Sequence, residues 1–328
     1  TILILGILLV FGSSCQKKAE MTIALMFPYT TIARMAYEEK YFKAKAAEMN
    51  CNAIVTDAKN DEFLQRKQAK ELLDQGVKVL VIMAVNAYTA AEIVRDAHKV
   101  GAYVIGYDRI IHNCDLDFYI SHNNYNVGKY MADYALKHKP EGKYLLLGGD
   151  KSDRNAIFVK TGQLDALKPY VESGKVKIVF DVYVEEWSSD NAYYIMKEYL
   201  RLSSNDIPDV ILTSYDGLGY AARQALDEAG VTKDVIITGQ DAEPKAIRYI
   251  IQGKQTLTIY KPLKPLAENA VITAVKLVHG EKPDTTTSIF NNRIRVPSLL
   301  FEPIAVDKNN IRETVVKDGM IKESDVGL

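Results

Sequence analysis

Short apolar runs alternate with helix-like stretches along the chain from Met21 onward. The runs Met21–Phe27, 51–55 and 77–84 read as strands, and the first and third are apolar almost throughout. Residues 31–49 and 61–75 instead place apolar side chains at helical spacing, with charged residues between them. Strands without polar alternation are typical of a parallel sheet that is covered by helices on both faces. The pattern therefore predicts an α/β protein.

The stretch 102–124 combines two predicted strands with polar residues at a strand end and a bend. It contains two short strands, 102–107 and 117–121, and the pair Asp108-Arg109 directly follows the first. In α/β folds, ligands bind outside the carboxyl ends of the strands. The Asn123-Asn124 pair is predicted to bend the chain out of this first sheet. We therefore expect this stretch to supply one wall of a ligand cleft and the first hinge.

The same alternation restarts after Asn124 and predicts a second lobe. Its strands are expected at 144–147, 176–184, Val210–Thr213, 235–238 and 256–260, with a last strand at 298–304 after an irregular stretch at 280–295. Chain crossings are predicted near Asn124, Lys261 and Asn292. The first lobe would then hold residues 21–123 and 262–291, and the second 124–261 and 292–328. Three thin connections between two lobes form a hinge that permits closure around a ligand.

Length and charge narrow the class of protein. A chain of 328 residues is too long for one ordinary core, and its net charge of −1 leaves no basic footprint for nucleic acid. No apolar run approaches the roughly 20 residues that a membrane-spanning helix needs. The five histidines are scattered among three cysteines without ligand spacing, so neither a metal nor a cofactor is expected.

The N-terminus carries a targeting pattern. Residues 1–14 are an apolar run that ends in small residues, which predicts a secretory signal, and Cys15 follows directly. This resembles a bacterial lipoprotein site, in which Cys15 becomes lipidated and residues 15–20 tether the domain on the outer side of the membrane. The alternative is a plain secretory signal with an incidental cysteine. Cys51 and Cys114 are expected to be buried thiols, although a disulfide stays open.

Polar residues recur where the predicted strands end. They are Asp108, Arg109, Asp153, Asn155, Trp187, Tyr215, Asp216, Gln240, Asp241 and Lys261. Carboxylates and amides pair with adjacent hydroxyls, cations add charge-assisted donors, and an aromatic face covers the apolar face of a sugar ring. The set therefore predicts a neutral, hydroxyl-rich ligand of monosaccharide size.

Most of these residues also have a purely structural alternative. The alternatives are helix capping for Asp153 and Asp216, a first-turn position for Asn155, core packing for Trp187, and a solvated surface position for Asp108-Arg109 and for Lys261. Other chemistries fit poorly. Gly217-Leu218-Gly219 lacks the third glycine of a dinucleotide loop, and nothing marks Asp108 and Asp241 as the acid and nucleophile of a glycosidase.

Several local motifs resemble the D-xylose-binding members of the type I periplasmic sugar-binding family of bacterial ABC importers. They are Tyr107-Asp108-Arg109, DFYIS at 117–121, Gly162-Gln163, LKPY at 167–170, GQDA at 239–242, TIYKP at 258–262, 309–311 and 316–319. The resemblance runs from about Met21 to Asp325. It implies two Rossmann-like lobes, parallel sheets flanked by helices, joined by a three-segment hinge with one sugar between them.

The resemblance also implies which side chains touch the sugar. The polar contacts fall on Arg34, Asp108, Arg109, Asp153, Asn155, Asp241 and Lys261, and the aromatic wall includes Trp187. Two positions depart from the family pattern, because Met35 replaces a tryptophan and Tyr215 replaces an asparagine. Both are expected to line the pocket and to affect which sugar binds, since methionine stacks less specifically and tyrosine exchanges an amide for one hydroxyl.

The function predicted from the sequence is a monomeric, membrane-tethered receptor rather than an enzyme. It would close on a pentose, D-xylose first, and deliver it to the transmembrane subunits of an ABC permease. The alternative is a sensor that presents its closed form to a histidine kinase or a chemoreceptor. A sugar-responsive transcription factor would need an N-terminal helix-turn-helix, where this chain has a signal-like segment instead.

Overall fold

The computed structural model describes residues 21–203 and 206–328. The predicted signal segment and Cys15 therefore lie outside the described residues. The strands are β1 (Met21–Phe27), β2 (Cys51–Asp57), β3 (Val79–Ile82), β4 (Tyr103–Tyr107), β5 (Phe118–His122), β6 (Gly142–Gly148), β7 (Val176–Tyr183), β8 (Val210–Thr213), β9 (Ile236–Ile237), β10 (Thr258–Tyr260), β11 (Thr287–Phe290), β12 (Arg295–Phe301) and β13 (Ile304–Val306).

The α-helices follow the strands in the predicted alternation. They are α1 (Ala33–Glu48), α2 (Glu62–Asp74), α3 (Ala91–Lys99), α4 (Asn124–His138), α5 (Arg154–Glu172), α6 (Ser189–Leu202), α7 (Asp216–Glu228), α8 (Pro244–Ile251), α9 (Leu263–Val278) and α10 (Glu323–Val326). Short 3₁₀ and π turns cover Glu185–Trp187 and Arg312–Val316.

The larger sheet has seven strands in the order β11-β12-β5-β4-β3-β1-β2. All neighbours are parallel except the β11–β12 pair. Its two faces carry separate apolar clusters, one under α2 and α3 and the other under α1 and α9. Cys114 lies in the first cluster and Cys51 in the second, so these two cysteines do not pair with each other. We call this sheet with its four helices the first lobe.

The second lobe is built on a parallel sheet in the order β7-β6-β8-β9. A bridge between Gln240 and Ile259 links it to the antiparallel pair β10–β13. Helices α4 and α5 pack on one face, α6 and α7 on the other, and α8 and α10 close the end beside β10. Both lobes are therefore covered parallel sheets, as the apolar strands predict.

Local sequence signals set many of the helix ends. Asp61 caps α2 because its carboxylate accepts from the backbone N–H groups of Phe63 and Leu64, and Gly76 follows the helix with φ +84°. Asn123, predicted as a bend, caps α4 by accepting from the Asn126 N–H. The chain thus leaves the first lobe through a capped helix start.

The three crossings between the lobes are tied to each other. They lie at Asn123, at Lys261-Pro262 and at Glu302-Pro303, between consecutive elements of opposite lobes. The Asn123 side chain donates to Glu302 at 3.0 Å, and the ring Nε2 of the neighbouring His122 lies 3.0 Å from the Pro262 carbonyl. These two contacts connect the first crossing to each of the other two, so the hinge segments are coupled rather than independent.

One predicted boundary is wrong. The sequence pattern predicts the third crossing near Asn292 and residues 292–328 in the second lobe. Strand β12 instead pairs with β5 in the first lobe, with Ser298 opposite Tyr119, so the chain crosses only after Phe301. The stretch predicted as irregular also contains β11. The periodicity of a short strand does not say which sheet it joins, and β11 is a half-exposed edge strand without an apolar run.

Within residues 21–203 and 206–328, no helix is long and apolar enough to cross a membrane.

Candidate functional site

The polar residues predicted at strand ends gather where the two lobes face each other. They come from the ends of β4, β6, β7, β8 and the bridge after β9, from the hinge after β10, and from the first turn of α1. The parallel sheets of both lobes point their carboxyl ends at this place, which is why residues far apart in sequence meet here.

Arg34 and Asp108 form the ion pair of the first lobe. The Arg34 Nη2 atom lies 3.2 Å from Asp108 Oδ1 and 2.9 Å from Glu38 Oε1. Burial favours the neutral forms of both groups, but the neighbouring charges outweigh it. The carboxylates of Asp108 and Glu38 raise the pKa of Arg34. The cations of Arg34, Lys261 and Arg109 hold the pKa of Asp108 well below its usual range. The pair therefore stays ionised at any ordinary pH.

Arg109 reaches across the cleft to Asp153. Its Nε atom lies 3.6 Å from Asp153 Oδ2, while its Nη1 donates to the Ala84 carbonyl at 3.1 Å. Asp153 also caps α5 by accepting from the Asn155 N–H at 2.9 Å. The capping alternative is thus confirmed for Asp153, but the same carboxylate faces the cleft. Burial raises the pKa of Asp153, partly opposed by Arg109.

Asn155 makes a direct bond between the lobes. Its Nδ2 donates to the Asp108 carbonyl at 3.2 Å, and its Oδ1 accepts from Asn124 Nδ2 at 3.0 Å. The same carbonyl accepts from Tyr119 and Ser121 in the first lobe, each at 2.9 Å. Asn155 is 7% exposed, so this network is nearly closed to solvent.

Lys261 and Asp241 form the third ion pair. Lys261 Nζ lies 2.8 Å from Asp241 Oδ1, and the lysine is 4% exposed. The Asp241 N–H donates to the Ile259 carbonyl at 2.9 Å, which holds the chain beside β10. The negative charge of Asp241 also contributes to the raised pKa of Arg34, so this pair lies near the pair of the first lobe.

Three cleft residues have backbones that L-amino acids rarely adopt. The φ angles are +61° at Asp108, +54° at Trp187 and +87° at Asp241. Such conformations cost energy and cluster at ligand sites, where they aim a side chain that regular structure would point elsewhere. Here they turn the chain sharply at the strand ends that carry the cleft residues.

Trp187 and Tyr215 form an aromatic wall in the second lobe. Their ring centroids are 6.5 Å apart and the ring planes meet at 86°. A Cβ atom at Gly149 would lie 2.2 Å from the indole, so the indole rests directly on that backbone. Trp187 is partly exposed at the cleft rather than part of a core cluster, which rejects the core-packing alternative.

Met35 does not share this exposed position. It is 2% exposed and belongs to the apolar cluster between α1 and the larger sheet, together with Phe42. Its contact with a sugar ring stays a prediction. Asp216, offered above as a cap, is also different: its carboxylate accepts from the Glu243 N–H and from Gln255 and Thr258, so it links α7 to the neighbouring elements.

Sequence reasoning missed four polar residues around the cleft, three of them buried and the last one half-buried. They are Glu38, His122, Asn124 and Glu243. The sequence contains a signal for Glu38, because it follows Arg34 by one helical turn. Its carboxylate accepts hydrogen bonds from both Nε and Nη2 of that arginine. The contacts of the other three come from distant parts of the chain, which no local pattern reveals.

Taken together, the cleft holds three cations and three carboxylates in pairs, with an aromatic wall on one side. Each of these cations has its own carboxylate, which favours a neutral ligand, and a further carboxyl group, Glu38, lies behind Arg34, where burial raises its pKa. Each pair can both accept from and donate to a ligand hydroxyl.

Comparison with known proteins gives matches along almost the whole chain. A family model described as a periplasmic binding protein domain matches residues 23–282. The D-xylose-binding periplasmic protein of Haemophilus influenzae is 38% identical over 322 residues, which cover 98% of this chain and 96% of that protein. The protein of the same description from Escherichia coli is 39% identical over 307 residues, covering 94% and 93%.

Solved structures agree on the architecture. An ABC transporter solute-binding protein from Clostridium phytofermentans with bound β-D-glucose is similar with a TM-score of 0.86 and 25% identity. The match covers 93% of this chain and 99% of that chain. The two-lobed fold with strand ends facing a common cleft is thus shared with a sugar-bound protein.

Proposed function

Because the chain belongs to the periplasmic binding protein family, we propose that it is an extracytoplasmic receptor that captures one D-xylose molecule between its lobes and delivers it to an ABC permease. Two relatives that match nearly its full length are D-xylose-binding periplasmic proteins. Capture of this kind is an equilibrium and involves no covalent step.

The observation that carries the proposal is the set of three ion pairs at the facing strand ends. Buried oxygens of two of them, Asp108 Oδ1 and Asp241 Oδ1, touch their cations but receive no well-aligned hydrogen bond from the described part of the chain. A buried acceptor without a donor is costly, and a sugar hydroxyl supplies one. The pairs therefore favour a ligand with several hydroxyls and no charge.

The aromatic wall supports a sugar over other polyols. A pyranose ring has an apolar C–H face, and the partly exposed indole of Trp187 offers a flat surface of similar size. Ion pairs at the edge of the pyranose and the indole at its face together fix the position and the orientation of the sugar.

Closure follows from where the contacts lie. Arg34, Asp108 and Arg109 belong to the first lobe, whereas Asp153, Asn155 and Asp241 belong to the second. A sugar that touches both sets binds the closed form better than the open form and shifts the population accordingly. The permease then recognises the closed form. We further propose that a single copy suffices and that lipidation of Cys15 tethers it.

The proposal is tested by thermal unfolding of a soluble Cys15→Ser protein against single pentoses and hexoses. A ligand at ~100 times its dissociation constant adds about 2.7 kcal/mol of stability, which gives a clear shift in Tm. We expect the largest shift with D-xylose. Absence of a shift with every monosaccharide would contradict the proposal.

Transport is separated from sensing by a second measurement. Permease and ATPase subunits of an ABC sugar importer from the same genome are reconstituted in vesicles, and ATP hydrolysis is followed with and without the sugar-loaded receptor. Stimulation by the loaded receptor supports delivery to a permease, and its absence contradicts that part.

A further inference from the structure

The hydroxyl of Tyr215 is committed to a carboxylate behind the cleft. It donates to Glu243 Oε1, and Tyr220 donates to the other carboxylate oxygen at 2.6 Å. Burial and the charge of Glu243 raise the pKa of Tyr215, so the hydroxyl keeps its proton and stays a donor to Glu243. Glu243 therefore fixes the ring of Tyr215 through its tip.

The same ring has no room to retreat. A Cβ atom at Gly217 would lie 2.4 Å from Tyr215 Cε1, which means that the ring rests on the Gly217 backbone. Its neighbour Trp187 rests equally closely on Gly149, and the two rings contact each other edge to face. The aromatic wall is therefore a rigid surface held from three sides.

This wall lies beside the ion pairs. The backbone N–H of Asp216, the residue after Tyr215, donates to the Gln240 carbonyl at 3.1 Å, which places Tyr215 beside Asp241 and its partner Lys261. A sugar bound by the ion pairs would thus present one edge to Tyr215. Since the tyrosine hydroxyl donates its only proton to Glu243, that edge meets aromatic carbon and finds no hydrogen-bond donor in this side chain.

We propose that Tyr215, positioned by Glu243, sets the size of the sugar by accepting the CH₂ edge of a pentopyranose and excluding the exocyclic hydroxymethyl group of a hexose. A pentopyranose ring ends in a CH₂ group that needs neither a hydrogen bond nor further space. A hexopyranose carries CH₂OH at the same carbon and needs both. This inference rests on the proposed function and specifies the ligand class of the same site.

The test is calorimetric titration with D-xylose, D-glucose and 6-deoxy-D-glucose. The third sugar carries a methyl group, so it separates the effect of size from that of the hydroxyl. We expect wild type to bind both hexoses about 100-fold or more weakly than D-xylose, at the upper range for one extra carbon group in a tight pocket. The ratio of affinities is the readout, because a general loss of folding does not change it.

Variants then assign the effect to the two residues. Tyr215→Asn removes the ring and should narrow the ratio to about tenfold or less. Glu243→Ala keeps the ring but frees its tip, and should narrow the ratio as well. The matched control is Tyr220→Phe, which removes the other hydroxyl from the same carboxylate but lies away from the cleft, and should preserve the wild-type ratio.

The outcomes separate this inference from the proposed function. Equal affinity of wild type for D-xylose and both hexoses would overturn the inference and leave sugar capture standing. An unchanged ratio in both Tyr215→Asn and Glu243→Ala would also overturn it. Failure of wild type to bind any of the sugars would contradict the proposed function itself.

Discussion

The ammonium group of Lys261 and the carboxylate of Asp241 lie 2.8 Å apart at the point where the chain crosses between the lobes. Lys261 is 4% exposed, so its charge is balanced here by the protein rather than by water. Asp241→Ala would leave this cation buried and would remove an acceptor for sugar hydroxyls. Loss of one partner of a buried charge pair costs on the order of 2–5 kcal/mol in binding, so we expect about 30-fold weaker D-xylose binding or worse by calorimetry.

A matched control for this variant is available in the same lobe. Asp227 also pairs with a cation, Arg223, but its side chain is 52% exposed at the end of α7. Asp227→Ala should bind D-xylose like wild type, because exposed pairs contribute little. Wild-type affinity in Asp241→Ala as well would mean that the cleft is placed wrongly.

The single tryptophan makes the aromatic wall directly observable. D-xylose should change the intrinsic fluorescence of Trp187, because binding alters the surroundings of the indole. Gly149→Ala would put a methyl group 2.2 Å from that ring and force it to move, so both the fluorescence change and the affinity should fall. Gly230→Ala, which strains a backbone at φ +68° but meets no neighbour, controls for general destabilisation. Absence of any fluorescence change in wild type at saturating D-xylose would remove Trp187 from the site.

His122 gives the hinge a pH dependence of known sign. Its Nε2 lies 3.0 Å from the Pro262 carbonyl, which only accepts, so Nε2 carries the proton. Burial, followed by the charges of Lys261 and Arg34, lowers the pKa of His122 to about 3, with Asp108 opposing. The unfolded chain therefore binds an extra proton here between pH 6.5 and about 3, and stability falls as the pH is lowered through that window.

The variant His122→Gln isolates this contribution. Glutamine can donate to the same carbonyl but does not titrate. Its free energy of unfolding in urea should therefore fall less steeply than that of wild type between pH 6.5 and 4.5, by up to about 1.4 kcal/mol per pH unit. Parallel profiles of the two proteins would show that His122 is protonated equally in both states.

Replacing Lys160, a buried lysine of the second lobe, tests whether its ion pair with Asp181 raises or lowers the free energy of unfolding. Lys160 is 3% exposed, contacts Asp181, and lies over the ring of Tyr183 at 4.5 Å. Burial lowers the pKa of Lys160 despite its partner, and Asp181 is exposed enough to be solvated alone. Lys160→Met should therefore leave the free energy of unfolding unchanged or raise it.

The matched variant is Lys160→Ala, which leaves the space of the lysine stem empty. It should lower the free energy of unfolding by on the order of 2 kcal/mol, measured by urea denaturation. A large loss in Lys160→Met instead would identify the ion pair itself as the stabilising contact.

Much of the fold follows from local signals in the chain. Strand β8 has the predicted bounds, because a fully buried apolar run marks it. Strand β12 was assigned to the wrong lobe because its partner β5 is far away in sequence and pairing leaves no periodic trace. Helix α1, which begins without a side-chain cap, starts at Ala33, two residues after the start of the predicted range 31–49.

The candidate site was predictable to the extent that it lies at strand ends. That rule brings Asp108, Asp153 and Asp241 together with Arg109 and Lys261, whereas Arg34, which lies on α1, is implied only by the family resemblance. It misses Glu243, because the residue acts on Tyr215 from behind the cleft. Met35 was predicted to line the pocket by resemblance alone. The helical spacing of α1 already places that residue on the buried face of the helix.

The position of β12 in the first lobe has a consequence for how the protein is made. The strand between the outer hairpin strand and β5 is supplied by Arg295–Phe301, far along the chain from β5. The larger sheet is therefore incomplete until residues 295–301 have left the ribosome, and contacts over such sequence distances form slowly. A protein that works outside the cytoplasm benefits from this order of assembly, because an extended chain can still pass through a secretion channel. We expect the late strand to keep the newly made chain competent for export.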